Sequence, residues 1–390
     1  MPRRVKFLIF SQILNNFGFG YFIIYITVYL PEININAGVV GILLGVQGVV
    51  LVLAGIPLGL LSDLRGRKWF LIFGNLLVAP TILIFAFTND FTFFLFAAAL
   101  GGLAEAAALS SWNAIIADQT DLTNRDAAFS LSFIVSNIFL SLGMALPFFF
   151  PGLQSIVGLS SQEIHRLFLL LFGLANFIAP LLIFALLRGY KETVIHREEA
   201  SRRGSIRILL KFSGINSLIG LGAGLIIPLV GTWLYYKFGV PDTYNGPFLA
   251  ISGMTIAFSA VGSSRLSARF GLFKSILMTS GSSTLFMFSL AFIPNVFLAG
   301  GVYIVRTALM NMSAPLMDSF LMGIITPDRR GLASALSAII WRIPNSLSSI
   351  LGGFLIYTGH YDLPWLGASL LYVVAIALLY ANFKDVKPKG

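Results

Sequence analysis

The chain has no cysteine and very few charged residues. Of its 390 residues, only 11% are Asp, Glu, Lys or Arg, whereas 57% are hydrophobic. A soluble domain of this size would carry about a quarter charged residues. The composition therefore indicates a membrane protein that crosses the bilayer several times, and the absence of cysteine excludes disulfides and thiolate metal sites.

Sequence signals for catalysis are also missing. The three histidines form no metal-ligand cluster, no glycine-rich loop has nucleotide-binding spacing, and no nucleophile is paired with a base. We therefore predict that the chain is not an enzyme and has no cofactor or metal. The net charge of +10 could indicate a nucleic-acid partner, but the cations lie between apolar segments and form no basic-aromatic run. That distribution argues against nucleic-acid binding.

Long apolar segments fill the rest of the sequence. At about 20 residues per crossing, they predict an all-α protein with twelve transmembrane helices near 7–30, 38–62, 69–89, 91–117, 127–150, 167–187, 208–236, 246–264, 272–292, 296–325, 332–357 and 363–383. An even number of spans places both termini on one side of the membrane. Of the 26 Lys and Arg residues, 22 fall on that side, the other four being Arg166, Lys237, Arg306 and Arg342. The positive-inside rule therefore predicts a cell-membrane protein with cytoplasmic termini.

A polar segment at the midpoint divides the chain into two similar halves. We predict a first six-helix bundle over 1–187, a cytoplasmic linker over 188–207 and a second bundle over 208–390. Shifting the first half by 205 positions aligns Gly66 with Gly271 and Arg125 with Arg330, and it brings the apolar spans and short basic loops into register. The sequence therefore predicts two copies of one six-helix unit.

The short basic loop between the second and third predicted helices is the most specific motif. It runs from Gly59 to Lys68 and contains Asp63, Arg65, Gly66 and Arg67. This loop resembles the pattern G-x-x-x-D-(R/K)-x-G-R-(R/K), which occurs between helices 2 and 3 of the major facilitator superfamily. Leu64 departs from the pattern, since a cation is expected there and appears one position later.

The resemblance implies a fold of two six-helix bundles and transport of a small molecule by alternating access, in a lipid bilayer and as a monomer. In that family the loop forms a charge network that holds one side of the transporter closed. The corresponding conformational latch here would contain Gly59, Asp63, Arg65, Gly66, Arg67, Lys68, Asp118 and Arg330.

Four ionisable residues lie inside predicted spans: Glu105, Arg306, Asp318 and Arg342. At 1.5 Å per residue, Glu105, Arg306 and Arg342 are about 15–20 Å from the nearest predicted helix end. Charges at this depth are costly and are usually paired or exposed to a water-filled cavity. An ion pair such as Asp318 with Arg342, serving only to join helices, remains the alternative interpretation.

Two deep arginines favour a solute with carboxylate or phosphate groups, because guanidinium binds such groups through paired hydrogen bonds. We therefore expect transport of a small organic anion, with proton movement coupled through Glu105 and Asp318 as a further hypothesis. The predicted substrate-binding residues are Arg306, Arg342, Trp112, Asn113, Tyr25 and Asn15. The alternatives are efflux of lipophilic drugs or lipids, and a membrane receptor without turnover.

Overall fold

The computed structural model describes residues 1–121, 124–190, 204–325 and 330–386. Within these ranges the chain is helical and contains no strand. The twelve helices are α1 (Arg3–Glu32), α2 (Ala37–Arg65), α3 (Arg67–Phe87), α4 (Phe91–Asp118), α5 (Arg125–Met144 continued by Phe150–Val157), α6 (Ser161–Leu186), α7 (Gly204–Ile226 continued by Val230–Phe238), α8 (Asp242–Phe270), α9 (Leu272–Leu290), α10 (Val296–Ile324), α11 (Arg330–Tyr357) and α12 (Leu363–Phe383).

Among the described residues, ten segments are long and apolar enough to cross a membrane by themselves, and α9 is not one of them. In α9 the shortfall comes from hydroxyl side chains that are buried in the protein. Ser275, Thr279 and Thr284 each donate a hydrogen bond to the carbonyl four residues earlier, at 2.8 Å. Because these hydroxyls are already hydrogen-bonded within the helix, placing them in the membrane costs less free energy than the hydropathy of α9 indicates.

The internal repeat is visible in the backbone at the offset found in the sequence. Asn34 and Gly239, at the ends of α1 and α7, both have φ of 68°. Gly66 before α3 and Gly271 before α9 have φ of 110° and 80°. Left-handed backbone at matching positions is uncommon and favours glycine. The same offset relates the first residues of α2 and α8, α3 and α9, α4 and α10, and α5 and α11.

The chain forms two compact units whose limits differ from a simple division at the midpoint. The first contains Met1–Ile35, Val46–His196 and Val240–Gly253, and the second contains Asn36–Gly45, Arg197–Gly239 and Met254–Gly390. The start of α2 therefore belongs to the second unit, and the start of α8 belongs to the first. Most of the predicted linker over 188–207 lies outside the described residues, so that boundary stays a prediction.

Close backbone contacts hold these two helix starts in their units. In the first unit, a Cβ added to Gly246 would lie 2.2 Å from the Met144 carbonyl oxygen. In the second unit, a Cβ added to Gly41 would lie 2.9 Å from Gly353 Cα. Small residues permit this approach, which gives helices in lipid much of their packing energy.

The first helix of each repeat packs on the fifth in the same way. In the first repeat, a Cβ added to Gly20 of α1 would lie 1.9 Å from the carbonyl oxygen of Leu140 in α5. In the second repeat, a Cβ added to Gly352 of α11 would lie 1.9 Å from the carbonyl oxygen of Leu225 in α7. Shortly after each contact the helix changes geometry, with a π-helical turn over Tyr25–Tyr29 in α1 and a 3₁₀ turn over Ile227–Leu229 in α7. Such irregular turns bend a helix.

Candidate functional site

The basic loop places a cation against the end of a neighbouring helix. Gly66 makes a sharp turn that only glycine adopts readily, and α3 begins with the buried side chain of Arg67. Arg67 Nη1 lies 2.8 Å from Asp118 Oδ2 at the end of α4. The Tyr190 hydroxyl donates to the same carboxylate oxygen at 2.5 Å. The predicted partnership of Arg67 and Asp118 is therefore present.

Other members of the predicted latch have different surroundings. Lys68 Nζ donates to the Leu187 carbonyl at 3.0 Å and lies 4.7 Å from the Phe184 ring centre. Arg65 is exposed at the end of α2, and the carbonyl of Gly59 accepts a hydrogen bond from the Ser62 hydroxyl. The side chains of Asp63 and Arg330 lie outside what the structure describes. Their part in the latch stays a prediction.

Glu105 lies halfway along α4, about 20 Å from Asp118 at 1.5 Å per residue. Its side chain is half-buried, and Gln47 of α2 donates to its Oε2 atom at 3.4 Å. A Cβ on Gly102 would lie 2.3 Å from the Gln47 carbonyl oxygen, so α2 and α4 are in close contact at this level. The carboxylate is thus deep within a helical segment but is not enclosed.

Arg306 of α10 is enclosed, with 3% of its surface exposed. Its Nη2 atom donates to the Tyr372 hydroxyl at 3.1 Å and lies 3.6 Å from Met287 Sδ. Among the described residues it forms no ion pair with a carboxylate, and its Nε has no hydrogen-bond partner. The guanidinium therefore faces α9 and α12. Its predicted role as a substrate ligand is not tested by this placement, but the side chain connects helices of the second unit.

The other two charged residues inside predicted spans are more accessible. Arg342 is half-buried near the middle of α11, and its carbonyl accepts a hydrogen bond from Ser346. Asp318 is exposed on the second half of α10. Of the two predicted substrate arginines, Arg342 is the more accessible in its unit.

Three of the four predicted uncharged pocket residues already make packing contacts within the first unit. Asn15 donates to Asn75 Oδ1 at 3.1 Å, and Trp112 Nε1 donates to the Ser132 hydroxyl at 3.1 Å. Tyr25 is buried among aromatic rings. Asn113, one residue after Trp112, is exposed. Binding roles for these residues stay predictions, and Asn113 is the one that a solute could contact without displacing a neighbour.

A buried polar cluster that the sequence analysis did not find lies at the end of α1 and the starts of α6 and α8. His165 Nε2 and Asp242 Oδ2 are 3.1 Å apart, and both side chains are almost fully buried. Glu32 Oε1 accepts a hydrogen bond from the Asp242 backbone N–H at 2.6 Å. The sequence alone predicted no role for Glu32 or Asp242. Their meeting with a histidine depends on tertiary packing, for which the sequence gives no local signal.

Aromatic side chains surround His165. The Tyr29 ring stacks on the imidazole with centres 3.5 Å apart, and the Phe150 ring packs edge-on at 4.9 Å. The Tyr21 hydroxyl lies 2.9 Å from His165 Nδ1 and 3.2 Å from the His165 carbonyl oxygen. Both imidazole nitrogens therefore have polar neighbours inside an otherwise apolar enclosure.

Comparison with known proteins agrees with the predicted fold. Residues 8–346 match the family model described as Major Facilitator Superfamily. The chain belongs to the major facilitator superfamily. It is thus a multi-pass membrane protein with the fold of two six-helix bundles, in a family of transporters rather than enzymes.

Relatives within the superfamily are distant but cover the full chain. A tetracycline resistance protein, class H, from Pasteurella multocida is 23% identical over 411 aligned positions, covering 100% of this chain and 99% of the relative. A bacterial homologue of the human lysosomal transporter Spinster, solved in an inward-facing and occupied conformation, superposes with a TM-score of 0.74 at 15% identity, covering 97% and 95% of the two chains. A mutant of the nucleoside transporter NupG gives 0.74 at 16% identity, covering 97% and 99%.

Proposed function

We propose that this superfamily member moves a small organic anion across the cell membrane by alternating access, with both termini in the cytoplasm. The observation that carries the proposal is the depth and accessibility of Arg342. It is a half-buried cation near the middle of a membrane-length helix. A charge at this depth costs free energy unless it is paired or hydrated, and such residues usually mark binding sites. A carboxylate or phosphate would bind it through two parallel hydrogen bonds.

Arg306 supports the same preference indirectly. A buried guanidinium without an ionic partner among the described residues makes its surroundings positive, and the field it creates acts at longer range in a medium of low dielectric constant. We assign it a positioning role through Tyr372 rather than direct contact with the solute.

Glu105 is the proposed proton carrier. Its half-buried carboxylate lies near the middle of α4 and has the neutral Gln47 amide as a neighbour. A carboxylate in this position can take up a proton when it loses contact with water and release it when water returns. In the Glu105→Gln variant we expect uptake driven by a proton gradient to be lost and solute exchange without a gradient to be retained. Full gradient-driven uptake would exclude the coupling role.

The latch interpretation rests on Arg67 and Asp118. Their ion pair joins the start of α3 to the end of α4 beside the basic loop. A pair in this position can favour one conformational state, so breaking it should alter the populations of inward-open and outward-open states.

Asp318, exposed on α10, is a second candidate for proton exchange.

Export of lipophilic compounds is the second candidate function. It is supported by the full-length similarity to a tetracycline resistance protein and by the enclosure of Arg306, which limits the access of a solute to one of the two predicted anion ligands. A cavity lined by some of the 36 phenylalanines would suffice for such substrates. A substrate with no negative charge would not need Arg342.

Binding and flux measurements on one variant pair separate these functions. A thermal-shift screen of carboxylates, phosphates and lipophilic dyes against purified protein finds ligands, because ligands that bind only the folded state raise its melting temperature. Arg342→Gln should abolish both the shift and the uptake for anions, whereas Arg166→Gln, an exposed arginine on α6, should change neither. Dye export that is unchanged in Arg342→Gln, with no anion binding in the parent, would favour the second function.

A further inference from the structure

The buried cluster of Glu32, His165 and Asp242, together with the tyrosines around it, has no part in the function proposed above. We propose that it is a proton-binding site whose occupancy holds the first turn of α8 against α1 and α6. The proposal rests on alternating access as the mode of transport, but it concerns residues other than the solute and coupling residues already named.

Burial and charge point to a proton as the ligand. His165 and Asp242 are 1% and 3% exposed and lie 3.1 Å apart, and the half-buried Glu32 accepts a hydrogen bond from the Asp242 backbone N–H. A charge removed from water must be paired or neutralised, and two neighbouring carboxylates cannot both remain ionised cheaply beside a neutral imidazole. A proton on one of these carboxyls therefore stabilises the packed cluster, whereas the same carboxyl would lose that proton in water.

No other described ionic group compensates these carboxyls. The remaining titratable neighbours are Tyr21, Tyr25 and Tyr29 of α1, whose hydroxyls are neutral near pH 7. Glu163 of α6 is exposed and caps its own helix through Ser160. Phe150 of α5 contributes only an apolar ring.

The polar neighbours of the imidazole suit both of its protonation states. When His165 is neutral, Nδ1 accepts from the Tyr21 hydroxyl at 2.9 Å, and Nε2–H, 3.1 Å from Asp242 Oδ2, needs a small reorientation to donate to that carboxyl oxygen. When it is protonated, Nδ1–H can donate to the Tyr21 oxygen, and the hydroxyl proton can turn to the His165 carbonyl at 3.2 Å. Because the Tyr21 hydroxyl can donate either to His165 Nδ1 or to the His165 carbonyl oxygen, the site can gain or lose a proton on the imidazole.

The location connects proton binding to the start of α8, a segment that alternating access would be expected to move. Asp242 is the first residue of α8, in the segment Val240–Gly253 that packs in the first unit although it follows the midpoint of the chain. Under the predicted topology the end of α1 and the starts of α6 and α8 lie at the outer membrane face. If the two halves separate there during transport, Asp242 leaves His165 and all three groups become hydrated.

The sign of the pH effect follows from this. The docked arrangement binds more protons than the separated one, so acidification of the outer side favours docking and alkalinisation favours separation. A difference of one bound proton changes the ratio of the two states by up to about tenfold per pH unit.

The proposal can be tested by distance measurement on the full-length protein in nanodiscs, without any solute. The chain has no native cysteine, so Ile156→Cys and Tyr244→Cys provide two specific spin-label sites on exposed residues beyond the cluster, in α5 and α8. Double electron–electron resonance spectroscopy then gives the populations of short and long distances between the two spin labels at a series of pH values. We expect the short-distance fraction to rise as the pH falls.

Variants in the labelled background decide whether the cluster is responsible. His165→Gln and Asp242→Asn should each remove most of the pH dependence. If one of them fails to fold, Glu32→Gln serves as a further variant. His360→Gln, at an exposed histidine before α12, should retain it. A pH-independent parent, or an unaltered response in folded cluster variants, would overturn the proposal. Because no transport is measured, failure of the proposed solute or coupling role would leave this result interpretable.

Discussion

Arg67 and Asp118 of the predicted latch form an ion pair, 2.8 Å apart with side chains only 10% and 11% exposed. The pair is enclosed between α3 and α4, and Tyr190 donates a second hydrogen bond to the aspartate. Its removal therefore has consequences for stability as well as for transport.

Asp118→Asn should destabilise the protein measurably. The substitution removes the carboxylate charge that lies 2.8 Å from the buried Arg67 guanidinium, and removing one partner of a buried pair costs about 3 kcal/mol. We expect a lower melting temperature in detergent and a changed ratio of inward-open to outward-open states. Arg65→Gln, at an exposed cation of the same loop, is the control for stability and should keep the melting temperature of the parent. Equal melting temperatures for both variants would show that the pair contributes little.

The start of α8 can be fixed covalently to α5. A Cβ on Gly253 would lie 3.7 Å from Ser141 Cβ, close to the separation of about 3.8 Å found across disulfides. In a chain without native cysteine, Ser141→Cys/Gly253→Cys should form one cross-link under a membrane-permeant oxidant. We expect transport to fall on oxidation and to recover on reduction. The two single variants should be insensitive to oxidant, and normal flux in fully cross-linked protein would refute the need for this segment to move.

Close packing of α1 on α5 predicts a strong difference between two glycines. Gly20→Ala places a methyl group 1.9 Å from the Leu140 carbonyl oxygen, so the helices must separate. Overpacking of this kind costs about 1–3 kcal/mol or more. Gly55→Ala in α2 meets nothing within 4 Å and should be neutral or stabilising. Thermal unfolding of both variants measures the difference, and similar melting temperatures would contradict the described α1–α5 interface.

Arg306 and Tyr372 should be energetically coupled. Tyr372→Phe removes the hydroxyl that accepts from the buried guanidinium, which costs about 1–3 kcal/mol. Arg306→Met removes the charge as well, so the double variant should be less destabilised than the sum of the two single changes. Additive effects in this cycle would mean that the contact is not important for stability.

The sequence was sufficient for the fold. Membrane-length apolar runs and short basic loops predicted the helices, and the resemblance of the loop around Gly66 to the superfamily motif implied that Arg67 and Asp118 are partners. The direction of Arg306 could not be predicted, because α10 has only weak amphipathic character and depth along a helix does not determine which neighbour a side chain faces. The pairing of His165 with Asp242 was missed for a related reason, since it depends on the start of α8 joining the first unit.

The exchanged helix starts also constrain biosynthesis. The first unit contains Val240–Gly253, so it cannot be completed until the ribosome has translated well past the midpoint of the chain. Asn36–Gly45, made early, must wait for α11 before Gly41 can meet its partner Gly353. During synthesis Asn36–Gly45 therefore remains with an unfilled glycine surface, and a nascent chain truncated between the halves would present that surface to lipids, chaperones and proteases.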